Sequence, residues 1–337
     1  VSATLTPEAA LEQAALAGIH RLAIPTPFAV GRVNCYLLED EPLTLIDTGP
    51  NSGKALDELQ GKLAERGHSI DDLELVIVTH QHIDHLGLVE IIVEHSGAEV
   101  AAIDVAAQRL ANFDEDAEAE DRFAVELMLR SGIPEEVTAA LQSVSRSFRS
   151  WGSHVGVTRP LADGEEIAFR DRTLQTLHRP GHSPSDTVFW DEERRILIAA
   201  DHLLAHISSN PLISRPLDGS TERTQALVTY IESMRKTRAM PAEFVLGGHG
   251  EPIVDHVALI DDRLAKHEQR KEKIYGLIAE RPRSGYEIAQ AIWGNVAVTQ
   301  AFLTLSEVIG HADLLVNEGR VREVDDGDVI RYEASGG

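Results

Sequence analysis

The chain of 337 residues has a single cysteine, Cys35, so no internal disulfide can form and a disulfide-stapled secreted scaffold is excluded. Within VNCYLLE that residue sits in an apolar strand pattern and reads as a small buried hydrophobe rather than a reactive thiol. Positive charge is also scarce: 31 Lys and Arg stand against 55 Asp and Glu, a formal net charge of −24. Polyanion binding rests on clustered cations, so nucleic acid and anionic membrane are disfavoured as partners. No uncharged apolar run approaches the ~20 residues that span a bilayer, and the first residues, VSATLTPEAALEQAAL, lack the basic start and apolar block of a signal peptide. A cytoplasmic protein is therefore expected. The chain opens on Val1 rather than Met, which predicts native residues ahead of it.

What is present is an ordinary globular composition, 43% hydrophobic and 26% charged, with length enough for two units. Between residues 33 and 103 short apolar runs alternate with amphipathic stretches. The order reads strand (VNCYLLE), strand (LTLID), helix (GKALDELQGKLAERG), strand (LELVIVT), helix (LGLVEIIVEHSG) and strand (AEVAAID), an α/β layout. Residues 105–150 read as helical hairpins with an acidic leader, DEDAEAED, either a solvated helix start or a lid over a cleft. Strands return at EEIAFR, TLQTLH, DTVFW and RRILIAA, followed by a helix over TERTQALVTYIESMRKT and a last strand, EFVLGGHG. The texture then changes to a long polar helix, two further helices and two short strands. We expect a catalytic domain over residues 1–260, with a helical insertion at about 105–150, and a small winged-helix-like domain over 261–337.

The chemistry is concentrated in THQHIDHLG. His80, His82, Asp84 and His85 occupy six positions at the end of an apolar strand, where α/β folds place their ligand sites. Neutral imidazole and carboxylate are the ligands that Zn or Fe accept, so this density points to metal binding. Other ligand types stand at further strand-to-loop junctions: Asp47 in LTLIDTGP, His182 in RPGHSPSDT, Asp201 in ILIAADHL and His249 in FVLGGHGEP.

The ordered set Asp47, His80-x-His82-x-Asp84-His85, His182, Asp201 and His249 resembles the five motifs of the metallo-β-lactamase superfamily, over about residues 20–255. The resemblance implies an αββα sandwich with a dinuclear site at one edge. It implies that His80, His82 and His182 hold one metal, that Asp84, His85 and His249 hold the second, and that Asp201 bridges them. Asp84 and Asp201 are the expected catalytic carboxylates, and Asp47 would brace the histidine loop. Two divalent ions are expected, Zn first, with Fe or Mn as alternatives. An aspartate at 201 is unlike the true β-lactamases with a Cys ligand and similar to the glyoxalase II, lactonase and ribonuclease branches. The tail is similar to the winged-helix extension of some hydrolases of this superfamily. Ser185 stands where relatives frequently carry Gly, and Leu246-Gly247 where many have Pro before Gly-His; neither removes a ligand.

Two divalent cations lower the pKa of a shared water to roughly 7, so a hydrolase using a bridging hydroxide is expected, without a Ser or Cys nucleophile. The loop DHLLAHISSNP adds His206 and Asn210 as candidates for substrate contact, against a purely structural role. The glyoxalase-II-like character favours a small-molecule thioester or ester, lactones included. The alternatives are a phosphodiesterase or ribonuclease on the same fold and a metal-containing regulator that senses a ligand. Counted from residue 262, the tail has 10 Lys and Arg against 13 Asp and Glu, and none of the cations falls between 284 and 319. A recognition helix without cations binds phosphates poorly, so the tail reads as a packing or dimerisation module, and a homodimer is an expected assembly.

Overall fold

The computed structural model describes residues 5–216, 223–294 and 300–336. After a short helix, α1 (Pro7–Leu16), the first sheet takes its six strands in chain order: β1 (Ile19–Ile24), β2 (Val33–Leu38), β3 (Thr44–Ile46), β4 (Leu75–Ile77), β5 (Glu99–Ile103) and β6 (Arg159–Leu161). The first three strands are antiparallel and the last four parallel. Parallel neighbours need crossovers. These are α2 (Gly53–Ala64) before β4, the one-turn α3 (Ile83–Leu86) and α4 (Val89–Ser96) before β5, and α5 (Asp104–Ala111), α6 (Phe113–Arg130) and α7 (Glu135–Phe148) before β6. β3 and β4 are only three residues long and wholly buried, which is why they read as continuous apolar runs rather than alternating ones.

The second sheet runs β11-β10-β9-β8-β7, with β7 (Glu166–Ala168), β8 (Thr173–His178), β9 (Thr187–Asp191) and β10 (Ile196–Ala200) antiparallel, and β11 (Phe244–Gly247) added in parallel through α8 (Ala226–Arg238). Between the sheets Ile46, Ile77 and Ala101 pack with Leu174, Phe189, Ile198 and Leu246. Helices α2 and α4 cover the outer face of the first sheet, and α8 covers that of the second. The α/β architecture with mixed sheets is thus as expected. Among the elements that go beyond the sequence reading are α1, β1, the one-turn α3 and β6. The expected helix over 221–237 begins only at Ala226; residues 221 and 222 lie outside the described residues.

The last helices are α9 (His256–Glu280), α10 (Gly285–Trp293) and α11 (Ala301–Asn317), with β12 (Arg283–Ser284), β13 (Val321–Asp325) and β14 (Ile330–Ala334) in the order β12-β14-β13. A boundary at residue 260 falls inside α9: Ile260 packs under the second sheet, whereas Ile274 and Ile278 belong to the core of the tail. Met128 and Ile133 of the insertion share a further core with Ile213 and with Ala301, Leu305 and Ile309 of α11. Insertion and tail therefore close over the same side of the sandwich. No described helix is long and apolar enough to cross a membrane.

Candidate metal centre

The site lies along one edge of the sandwich, where β3, β4, β10 and β11 end. Asp47 leaves β3 and Ala200 leaves β10 with positive φ, 58° and 42°, a conformation unfavourable for residues with a Cβ. Two of the three described non-glycine residues of this kind thus stand at or next to a carboxylate of the histidine cluster, Asp47 behind it and Asp201 within it, which places backbone strain at the candidate centre. His80 and His82 follow β4, and Asp84 and His85 lie on α3. His182 sits between β8 and β9, and His249 follows β11.

These side chains form three groups whose donor atoms lie within 4.8 Å of one another: His80, His82 and His182; His80, His85 and Asp201; Asp84, His85 and His249. In the first, His82 Nδ1 is 3.1 Å from His80 Nε2 and 2.9 Å from His182 Nε2. Asp201 stands between the groups. Its Oδ1 lies 3.5 Å from His85 Nε2, and its Oδ2 lies 3.6 Å from His182 Nε2 and 3.5 Å from His249 Nε2.

The outward nitrogens are already committed. His85 Nδ1 donates to Asp47 Oδ2 at 2.7 Å, His249 Nδ1 to the Arg32 carbonyl at 2.8 Å, and His182 Nδ1 to the Asn210 carbonyl at 3.1 Å. The Thr79 hydroxyl donates to Asp47 and accepts from His80 Nδ1 at 3.0 Å. A ring that donates from one nitrogen presents a lone pair at the other, and ligating histidines are oriented in this way. Inward, His85 Nε2, His249 Nε2 and Asp201 Oδ1 are buried and have no hydrogen-bond partner among the described residues. Buried polar atoms are normally satisfied, so converging orphans fit a cation.

His267, Glu307 and His311, on α9 and α11, are equally close but carry no such signature. There His267 meets His311 at 3.3 Å, His311 Nδ1 donates to the Glu307 carbonyl at 2.7 Å, and the Glu307 carboxylate is held by Arg270 at 2.8 Å. That group satisfies itself.

The two halves of the centre differ electrically. Burial, then the neighbouring imidazoles, keep His80 well below its ordinary pKa and push His82 down to about 3, so both stay neutral and ready to ligate. Burial works the same way on His249 and His85. For His249 the Asp201 carboxylate overrides it, raising the ring to about 9; for His85 it is Asp201 with Asp47 and Asp84. Burial would raise Asp84 and Asp201, but these imidazoles hold both below the usual carboxylate range.

The supporting residues are less visible in the sequence. Asn34 Nδ2 donates to the carbonyls of Gly247 and Gly250, and the Tyr36 hydroxyl to that of Gly247 at 2.7 Å, so β2 fixes the turn that carries His249. Ser183 donates to Asp186, and Ser185 ties the His182 loop to Gln81. Burial pushes Asp186 up to about 6. Ser185, the departure from the usual glycine, thus pins one ligand loop to another. Cys35 is fully buried in β2, with its thiol raised first by that burial.

Two cavities flank the loop that follows Asp201. His206 is exposed and lines the one of about 430 Å³ against α9 and α11, beside Gly250. Asn210 borders the same cavity and donates to the Leu303 carbonyl, while its own carbonyl positions His182. The other cavity, of about 380 Å³, opens directly on His82 and His182 and is walled by phenylalanines. No spacing rule finds those residues, because they come from four separated segments.

Fold and site together define an α/β metallo-hydrolase scaffold. The chain belongs to the metallo-beta-lactamase superfamily, whose family model matches residues 29–249. It is 31% identical over 312 residues to the probable metallo-hydrolase YqjP of Bacillus subtilis, covering 93% of this chain and 96% of that one. It is 24% identical over 142 residues to an atrochrysone carboxyl ACP thioesterase of Aspergillus fumigatus, 42% of this chain and 31% of that protein. The crystal structure of the metallo-beta-lactamase family protein TTHA1429 from Thermus thermophilus superposes with a TM-score of 0.79 at 27% identity, covering 94% of this chain and 99% of that one. An enzyme of the metallo-hydrolase kind is what this membership supports, and the fold implies divalent metal, typically zinc.

Proposed function

We propose that the protein is a dinuclear metal-dependent hydrolase of small-molecule thioesters or esters. The observation that carries this reading is Asp201 standing between two ligand groups, with its own Oδ1 and the inward nitrogens of His85 and His249 buried and without hydrogen-bond partners among the described residues. His80, His82 and His182 would hold one ion, Asp84, His85 and His249 the other, with Asp201 shared. Two such ions, when bound, supply a water acidic enough to ionise near neutrality and a Lewis acid for the substrate carbonyl.

The chain's own residues do the rest. Asp47 keeps the proton of His85 on Nδ1, and the Asn210 and Arg32 carbonyls do the same for His182 and His249, so the ligand set is organised before substrate arrives. No protein nucleophile is required. The hydroxyls of Ser183 and Ser185 are buried and donate to Asp186 and Gln81, and no imidazole among the described residues is hydrogen-bonded to either. The thioester preference is supported by the likeness to a thioesterase and by the net charge, which disfavours polyanionic phosphodiesters.

For the tail, the three-stranded order β12-β14-β13 with α10 and α11 supports a winged-helix arrangement used for packing, since α11 shares a core with the insertion. The test of the main reading is turnover by the Zn- and Mn-loaded protein on thioester, lactone, β-lactam and phosphodiester substrates. Thioester or ester hydrolysis without a pre-steady-state burst is expected. An acyl group trapped on Ser183 or Ser185, or cleavage confined to phosphodiesters, overturns it.

A further inference from the structure

The cavity of about 380 Å³ beside His82 and His182 has an unusual lining. Four of the eight phenylalanines in the chain border it: Phe28 from the β1–β2 loop, Phe113 at the start of α6, Phe148 at the end of α7 and Phe302 on α11. Leu110 and Ile213 complete the apolar walls. Phe28 and Phe148 meet with ring centroids 5.4 Å apart, joining the catalytic sandwich to the insertion across the cavity. An exposed apolar hollow of this size in so acidic a chain is costly to hydrate unless something apolar fills it.

The charged residues at its far rim do not offer themselves to a ligand. Arg149 pairs with Glu118 and Asp121, and Arg109 with Asp116 at 3.3 Å. The ion pairs close the rim, and the one end furnished for chemistry is the histidine end.

We propose that this chamber is an acyl pocket that selects substrates with an apolar acyl group of medium length, its carbonyl at His82 and His182 and its chain among the four phenylalanines. The inference rests on the hydrolase reading above and adds the substrate class to it. A methylene occupies about the space of a water, ~30 Å³, so the chamber accommodates roughly ten chain atoms. Acetyl groups leave it mostly empty, and long-chain acyl groups exceed it.

The test uses the full-length metal-loaded protein and a series of S-acyl-N-acetylcysteamine thioesters from acetyl to palmitoyl. Up to decanoyl, kcat/KM should rise roughly three- to fourfold per added methylene, then fall at palmitoyl. Phe302→Trp, which narrows the chamber, should lower the decanoyl-to-acetyl ratio about tenfold, and Phe28→Ala, in a surface loop, gives a second variant should the first fold poorly. Decanoate binding, followed by calorimetry, reads the pocket without turnover and should weaken in the same variants. Equal rates from acetyl to decanoyl, or decanoate affinity unmoved by both substitutions, overturn the acyl pocket and leave the hydrolase reading intact. Phenylalanine-dependent decanoate binding in a protein that cleaves neither these thioesters nor the matching esters supports the pocket and overturns the hydrolase reading instead.

Discussion

The metal edge and the phenylalanine chamber meet at His82 and His182, yet they are built in opposite ways. At the edge, the ligand candidates stand at strand ends, in the turns after them or on the one-turn α3, the sheets fix the strand ends, and the outward sides of the His80, His85, His182 and His249 rings are tied by hydrogen bonds. The chamber is assembled from a loop, two insertion helices and the tail, held by side-chain packing and ion pairs rather than by a ladder. The first arrangement is all-or-none, because a displaced ligand abandons a buried charge. The second is graded, because apolar contact scales with area. Rigid chemistry and adjustable selectivity can therefore sit side by side in one site.

The largest effect should come from the residue shared by both regions. His82→Ala removes a ligand candidate and opens the chamber wall, and the edge character of that position predicts that metal loss dominates. Metal content after dialysis should drop by about one ion per chain and turnover by at least ~100-fold, beyond what the loss of a supporting residue costs. Full metal content, measured by elemental analysis, would show that His82 belongs functionally to the chamber alone.

A smaller effect sharpens the same contrast at a position with no side chain. A Cβ added at Gly248 would run into the Asp201 carboxylate and the His85 ring. Backbone and ligands are this close only because the turn is glycine. Gly248→Ala should retain the circular dichroism of the fold while weakening affinity for one of the two ions proposed above about 10–100-fold, as a displaced pair of ligand candidates requires. Retention of both ions at unchanged affinity would mean that the edge yields, and the contrast with the chamber would disappear.

The same difference explains what was legible in the sequence. The edge is written locally: His80, His82, Asp84 and His85 share six residues, and Asp47, His182, Asp201 and His249 each stand at a strand-to-loop junction, so strand ends and ligands announce each other. Nothing local marks the chamber. Phe113 and Phe302 lie 189 positions apart and border one cavity only because the insertion and α11 share a core. The acidic leader reads in the sequence as either a solvated helix start or a lid, since its pairing with Arg109, Arg149 and Arg215 depends on tertiary placement. His206 shows how a loop blurs such a reading: a candidate for substrate contact from its place after Asp201, it lines the cavity against α9 and α11 while lying beside Gly250, the residue after His249. β1 and β6 went unread because IHRLAI mixes charge into a strand and RPL is too short to show a period.

The smallest effect belongs to the chamber rim and tests whether it is tuned electrically as the edge is. Glu120 accepts from the Arg215 backbone N–H at 3.1 Å and has Arg109 and Arg215 side chains within 4.0 Å, but Asp116 competes for both guanidiniums. Burial, reinforced by Asp116, wins over these partners and pushes the Glu120 pKa up from 4.5 to about 7. A carboxyl whose folded pKa is raised binds more protons in the native state than in the unfolded one between those two values. Stability contributed at Glu120 is therefore fully present below pH 4.5, falls as the pH rises towards 7, and stays low above it. Glu120→Gln keeps the shape and an acceptor for the Arg215 amide but cannot ionise, so it removes this slope. Measured on metal-loaded protein, the melting temperature of the variant relative to the parent should rise by on the order of a few degrees between pH 5 and pH 8, the scale expected for a modest free-energy change in a domain of this size. A parallel pH dependence for the two proteins would mean that Glu120 is charged throughout, held by its arginines, and that the rim resembles the carboxylate half of the metal edge rather than differing from it.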